Sequence, residues 1–208
     1  MNTNLKTIAK IAAFAGAFAL TGCAFVPVNV SPTYHPDHKE TKIQGAESVS
    51  VNVVVENKKK HHDLISVKHN ITRFRFAGIY MHVAQDFNKA ITKTLEDRGF
   101  NVSPNGKETV KVVITKFYMP EYEGWFGQSY KGLAKFSVTI YNSKNEIVYN
   151  KDIQPKEVHT YYYIGGASRS ANVLMNKTVN QLVNDPSFIS ALMNSKNKQD
   201  GVTVGKLN

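Results

Sequence analysis

Cys23 is the one cysteine in 208 residues. It lies in FALTGCAFVPV, residues 18–28, where an apolar run gives way to polar, proline-containing sequence. Three uses are open to its sulfur: a small buried side chain, half of a disulfide, or a chemical handle. A disulfide within the chain needs a second cysteine and has none. Other stretches hold chemistry-bearing residues. HPDH, 35–38, sets two histidines around an aspartate, a pattern that can ligate a metal, but no further ligands accompany it and none is expected to bind. GQSYKG, 127–132, has a serine near two glycines at the wrong spacing for a nucleophile elbow. YYYIGGASRS, 161–170, places Gly165 and Gly166 before a helix, whose free N–H groups can hold an anion with help from Arg169. A glycine linker entering a helix capped by Ser168 explains the same residues. There is no His-Glu-x-x-His pair and no phosphate-binding Gly-rich loop with its lysine. No catalytic residue is assigned, no metal or cofactor is expected, and the chain is read as a non-enzyme.

The residues before Cys23 decide among its uses. Lys6 and Lys10 form a basic start, 11–20 is apolar, small or aromatic, and Pro27 and Pro32 follow. A charged start, a short apolar core and small residues at its end describe a secretory signal peptide. The run is about half of the ~20 residues a membrane-spanning helix needs. A buried N-terminal helix would be apolar all round and would open into a tail with nothing to cover it. Leu20, Thr21, Gly22 and Cys23 resemble the lipobox of bacterial lipoproteins. That resemblance implies cleavage before Cys23, diacylglycerol on its thiol and an acyl chain on its new amino group. An ordinary signal peptide with an incidental cysteine is the plainer alternative. Several acyl chains anchor durably where one does not. By the sorting rule of the same family, Ala24 in place of aspartate favours the outer membrane.

Removing residues 1–22 leaves 186 residues and lowers the formal charge from +10 to +8. That length supports one domain with a real core. A basic balance suggests nucleic acid in a cytosolic protein. In an exported one it suggests lipid phosphates, lipopolysaccharide or acidic wall polymers, so no nucleic-acid partner is expected. Lys58, Lys59 and Lys60, in KKKHH, form the densest basic run and the candidate contact for an anionic surface. A solvated loop is the ordinary reading of such a run.

Residues 23–45 read as a lipidated cysteine and flexible tether, 46–195 as a single domain and 196–208 as a polar tail. The domain opens on alternating Val49, Val51, Val53 and Val55, a strand. LISVKHNITRFRF, 64–76, gives two short strands around His69 and Asn70. From Tyr80 the period changes: Val83, Ala84, Phe87, Ala90, Ile91 and Leu95 make an amphipathic helix stopped by Gly99. A short strand and turn follow in FNVSPNG, then a long strand ended by Pro120. Ala134, Phe136, Val138 and Ile140 pair through the turn NSKNE with Ile147, Tyr149 and Ile153. Ala171, Leu174, Met175, Thr178, Val179 and Leu182 mark a second helix, and Asp185 with Pro186 starts a third. The order predicts an α+β fold: a two-layer sandwich, with a mostly antiparallel sheet and two main helices packed on one face.

The pieces LTGCA, VNVSPT, RGFNVSPNG, VKVVITKFY and NDPSFISAL, in that order, resemble the YajG-type lipoproteins of Gram-negative bacteria. The resemblance implies an exported, lipid-anchored domain and no activity. The expected role is a structural or interaction module of the envelope, most simply at the periplasmic side of the outer membrane. Its partner would be an envelope protein or the cell wall. Trp125 and Phe126, between Gly124 and Gly127, are the candidate contact; folding back onto the sheet is the alternative. A second expectation is a binder of lipid, wall fragment or other small ligand in a groove beside the helices. A hydrolase is the weakest.

Overall fold

The computed structural model describes residues 26–35, 41–69, 75–124, 127–155, 158–162 and 166–197. Ten strands and three helices occur among them. The strands are β1 (Val28–Asn29), β2 (Ser50–Asn57), β3 (Leu64–His69), β4 (Arg75–Tyr80), β5 (Asn101–Val102), β6 (Glu108–Tyr118), β7 (Glu121–Gly124), β8 (Gly127–Tyr141), β9 (Ile147–Ile153) and β10 (Val158–Tyr162). The helices are α1 (Val83–Asp97), α2 (Gly166–Val183) and α3 (Pro186–Asn197). The fold is mixed α+β, as expected from the order of periods.

β8 is the axis of the main sheet. Its second half pairs antiparallel with β6 on one side and β9 on the other. Its first half pairs with β7 and β10 in the same sense. β2 continues the sheet beyond β6, parallel to β6 and to β5. A smaller sheet, β1-β4-β3, stands beside it. It is tied to the main chain path by Met119 N–H donating to the Ile65 carbonyl at 2.7 Å and by the Ser66 hydroxyl donating to the Met119 carbonyl. This second sheet, and β10, were not anticipated.

The core lies between the main sheet and the helices. Val110, Val112 and Ile114 of β6 point inward at period two. Strict alternation would next bury Lys116 and expose Phe117. A bulge between Ile114 and Lys116 shifts the register by one, so Phe117 and Met119 are buried and Lys116 stays wet. Phe87 of α1 then meets Phe117 and Phe136 edge-on, with ring centroids 5.1 and 4.6 Å apart. These contacts seat the helix on β6 and β8.

RGFNVSPNG, 98–106, explains itself in this frame. The Gly99 and Phe100 N–H groups donate to the Glu96 and Leu95 carbonyls, with Gly99 at φ 97°. That double closure needs a left-handed residue and ends α1. Phe100 is buried, Val102 pairs with Val51, and a Cβ on Gly106 would lie 2.2 Å from the Val51 backbone. The Arg98 guanidinium donates to the Val183 carbonyl at 2.6 Å and to Asn184, locking the end of α1 to the end of α2.

One sequence boundary moves. Residues 23–45 were expected to be a flexible tether, yet Val28 and Asn29 form β1, parallel to Ile79 and Tyr80 of β4. Val30 is buried in the core. The apolar side chains at 28 and 30, which the prolines around them obscure, are what dock the segment.

Candidate functional site

The three lysines of the basic run do not share one surface. Lys58 is exposed and lies 3.5 Å from Glu56, which also pairs with Lys111 at 2.8 Å. Lys60 is exposed. Lys59 turns inward and is 6% exposed, its Nζ donating to the Leu64 carbonyl at 3.1 Å. Loss of water around Lys59 pulls its pKa down to about 8, against a smaller upward pull from Asp63. The run thus offers two outward cations, one of them partly neutralised, rather than the three expected. The turn from β2 into β3 fills its underside with the lysine stem, which a count of charges cannot foresee.

Asp63 binds this turn to α1. Its carboxylate accepts hydrogen bonds from the Asn57 side-chain amide at 3.2 Å and from the Val83 N–H at 3.3 Å. His82 Nδ1 stands 3.8 Å away. A cavity of about 270 Å³ opens here, lined by Asn29, Ser31, Asp63, Tyr80 and His82 among others. Asp86, one turn into α1, has its carboxyl pushed above the ordinary value, chiefly by burial. Asp63 serves the helix start, where negative charge is favourable.

A wider groove of about 680 Å³ runs between the start of β9 and α3. Ile147, Val148, Pro186 and Ala191 give it an apolar floor, with Ser187, Ser190 and Asn194 along α3. Ile147 was expected on the buried face with Tyr149 and Ile153. It is 58% exposed, because β9 begins beyond the core and a register shift separates it from Tyr149. At one end, Asp185 accepts from the Tyr149 hydroxyl and Lys151 Nζ, both at 2.8 Å, and from the Ser187 N–H at 3.0 Å. Burial raises the Asp185 pKa, and those three donors outweigh it and hold the carboxyl below its ordinary value. Asp185 and Pro186 start α3 as expected.

The remaining candidates scatter. Ser129 is a strand residue whose hydroxyl donates to the Tyr122 carbonyl at 3.3 Å. Gly166 opens α2 with Ser168 inside its first turn, and 163–165 lie outside the described residues. Leu20, Thr21, Gly22, Cys23, Ala24, Trp125, Phe126 and 36–38 of HPDH also lie outside them. β7 and β8 place Gly124 opposite Gly127, and Tyr122 of that hairpin is half exposed. Among the described residues, no group of three metal-ligating side chains comes together and no helix is long and apolar enough to cross a membrane.

Sequence reading missed a row of asparagines on α2. Asn172 and Asn176 side-chain oxygens accept the Thr33 and His35 N–H groups at 2.8 and 3.2 Å. Asn180 accepts the Tyr34 hydroxyl at 2.6 Å, and Asn184, just past the helix, accepts from Arg98. The signal was present as asparagine at every fourth position from 172 to 184, one stripe of a helix.

A family model described as an uncharacterized lipoprotein matches residues 36–193. The chain belongs to that family, and so to the lipoproteins anchored in the cell envelope. Protein XCC0632 from Xanthomonas campestris is similar in fold, with a TM-score of 0.51 at 10% identity, over 84% of this chain and 99% of that one. A minor lipoprotein from Acinetobacter baumannii aligns with a TM-score of 0.37 at 8% identity, over 72% of this chain and 92% of that one. Lipoprotein GNA1162 from Neisseria meningitidis aligns at 0.36 and 10% identity, over 66% and 99%. No curated relative matches the sequence.

Proposed function

We propose that this is a non-enzymatic interaction or structural module of the outer membrane, facing the periplasm and held by acyl chains on Cys23. The observation that carries it is LTGC at 20–23 ahead of a domain matched by a lipoprotein family model. The use of Asp63, Asp185 and Ser129 in helix starts and strand contacts supports a non-catalytic reading. Ala24 supports outer-membrane sorting. The β7–β8 hairpin, with Trp125 and Phe126 between Gly124 and Gly127, is the proposed contact for an envelope protein or the cell wall. In cells fed labelled palmitate, the native chain takes up label and fractionates with the outer membrane. Cys23→Ser takes up none and accumulates as an unprocessed precursor. Persisting label in that variant overturns the anchor.

A second reading has its own observation. The exposed Ile147 and the apolar floor of the β9–α3 groove suit a lipid tail or wall fragment. Mass spectrometry of the purified protein, extracted into organic solvent, finds a stoichiometric lipid on this reading and none on the first.

A further inference from the structure

The N-terminal segment is more than a leash. Residues 28–35 run from the small sheet onto α2 through backbone and side-chain bonds. Val28 and Asn29 pair with β4, the Val30 N–H donates to the Tyr80 carbonyl at 2.8 Å, and Thr33, Tyr34 and His35 meet Asn172, Asn180 and Asn176. Val30 is buried and Val28 packs against the core. Together these contacts hold 28–35 against the domain.

Two consequences follow from geometry. A tether free from residue 23 to 45 would reach about 75 Å when extended, whereas five residues from Cys23 to Val28 reach at most about 18 Å. The direction is set as well. β1 is parallel to β4 and β4 antiparallel to β3. The N-terminal end of β1 therefore points the way that β4 begins, at Arg75, and β3 ends, at His69. Val26, 58% exposed, sits on that side of β1. Lys68 lies at the same end, opposite Ala77. The turn holding Lys60 and Asp63 lies at the other end, about 17 Å from Lys68 along five residue steps.

We propose that 28–35 is an orienting strap. Resting on the reading that Cys23 is acylated, it holds the domain within a few residues of the bilayer, with the β3–β4 hairpin end toward the phospholipid surface. The Lys58–Asp63 turn and its cavity then face away, open to the periplasmic space. On this arrangement the basic run at 58–60 does not touch the anchoring membrane, and Lys68 near the β3–β4 end meets its phosphates instead.

The test uses the full chain, expressed in a Gram-negative host and reconstituted in phosphatidylethanolamine–phosphatidylglycerol vesicles carrying a headgroup nitroxide quencher. Acylation consumes the only native thiol, so Lys68→Cys or Lys60→Cys takes a single fluorophore. Quenching at 68 is expected to exceed that at 60 by about twofold or more, given the five residue steps, about 17 Å, from Lys68 to the turn at Asp63. Twelve Gly-Ser residues inserted after Phe25 lengthen the link without touching the strap and should abolish the difference. Equal quenching in the native chain, or a difference that survives the insertion, overturns the strap. A chain that takes up no palmitate overturns the anchor itself, and the orientation with it; palmitate uptake with equal quenching leaves the anchor and removes only the strap.

Discussion

Lys59 shows how one side chain can invert a surface reading. Its ammonium is buried on the Leu64 carbonyl, and its folded pKa of about 8 lies below that of an exposed lysine, about 10.4. Between those values the unfolded chain binds more protons than the folded one. Stability therefore rises as pH climbs from about 8 toward 10. Above about 10 the raised Tyr130 and Tyr149 reverse the trend, since the folded state keeps protons that the unfolded state sheds. Urea titrations of the native protein at pH 7.5, 8.5 and 9.5 should show this increase, on the order of 1–3 kcal/mol in all. Lys59→Met should flatten it, and an unchanged slope in that variant would assign the pH dependence to other groups. Charge and spacing marked the run in the sequence. Which of three successive lysines turned inward was decided by the path from β2 to β3.

Among the elements, the segment between α1 and β6 was the most legible and the most constrained. Gly99 was read as a helix stop, and its left-handed backbone is the cause. Gly106 looked like an ordinary turn glycine, yet it is the harder position, because β2 passes directly against it. Gly99→Ala is expected to cost about 1 kcal/mol through backbone strain. Gly106→Ala should cost roughly 2–4 kcal/mol, because backbone must move and not merely a side-chain tip. Thermal unfolding of the two variants checks the order; a Gly106→Ala protein as stable as native would mean that the turn relaxes freely. β10 escaped notice for a related reason: its pairing belongs to the first half of β8, thirty residues earlier in the chain. The bulge in β6 could be read after the fact from the broken alternation around Lys116 and Phe117, because period two cannot slip without a register shift.

At the scale of the whole molecule, anchoring and charge make different predictions. On the proposal that the chain is cut before Cys23, its formal charge of +8 would bind anionic surfaces in a salt-dependent way. Multiple acyl chains would hold whatever the ionic strength. Membranes washed in 1 M salt should therefore retain the native chain almost fully, and detergent should release it. Release by salt alone would make the basic surface, not Cys23, the means of attachment. By itself the sequence determined the alternating strands, the amphipathic helices and the start of α3. These are local patterns, set by residues a few positions apart. Only the tertiary structure decided that β2 lies parallel between β5 and β6, that Ile147 stays in a groove and that Lys59 is buried. It alone docked residues 33–35 on the asparagines of α2, about 140 positions away. Each of these depends on which surfaces meet after the chain has closed, and no local period carries that information.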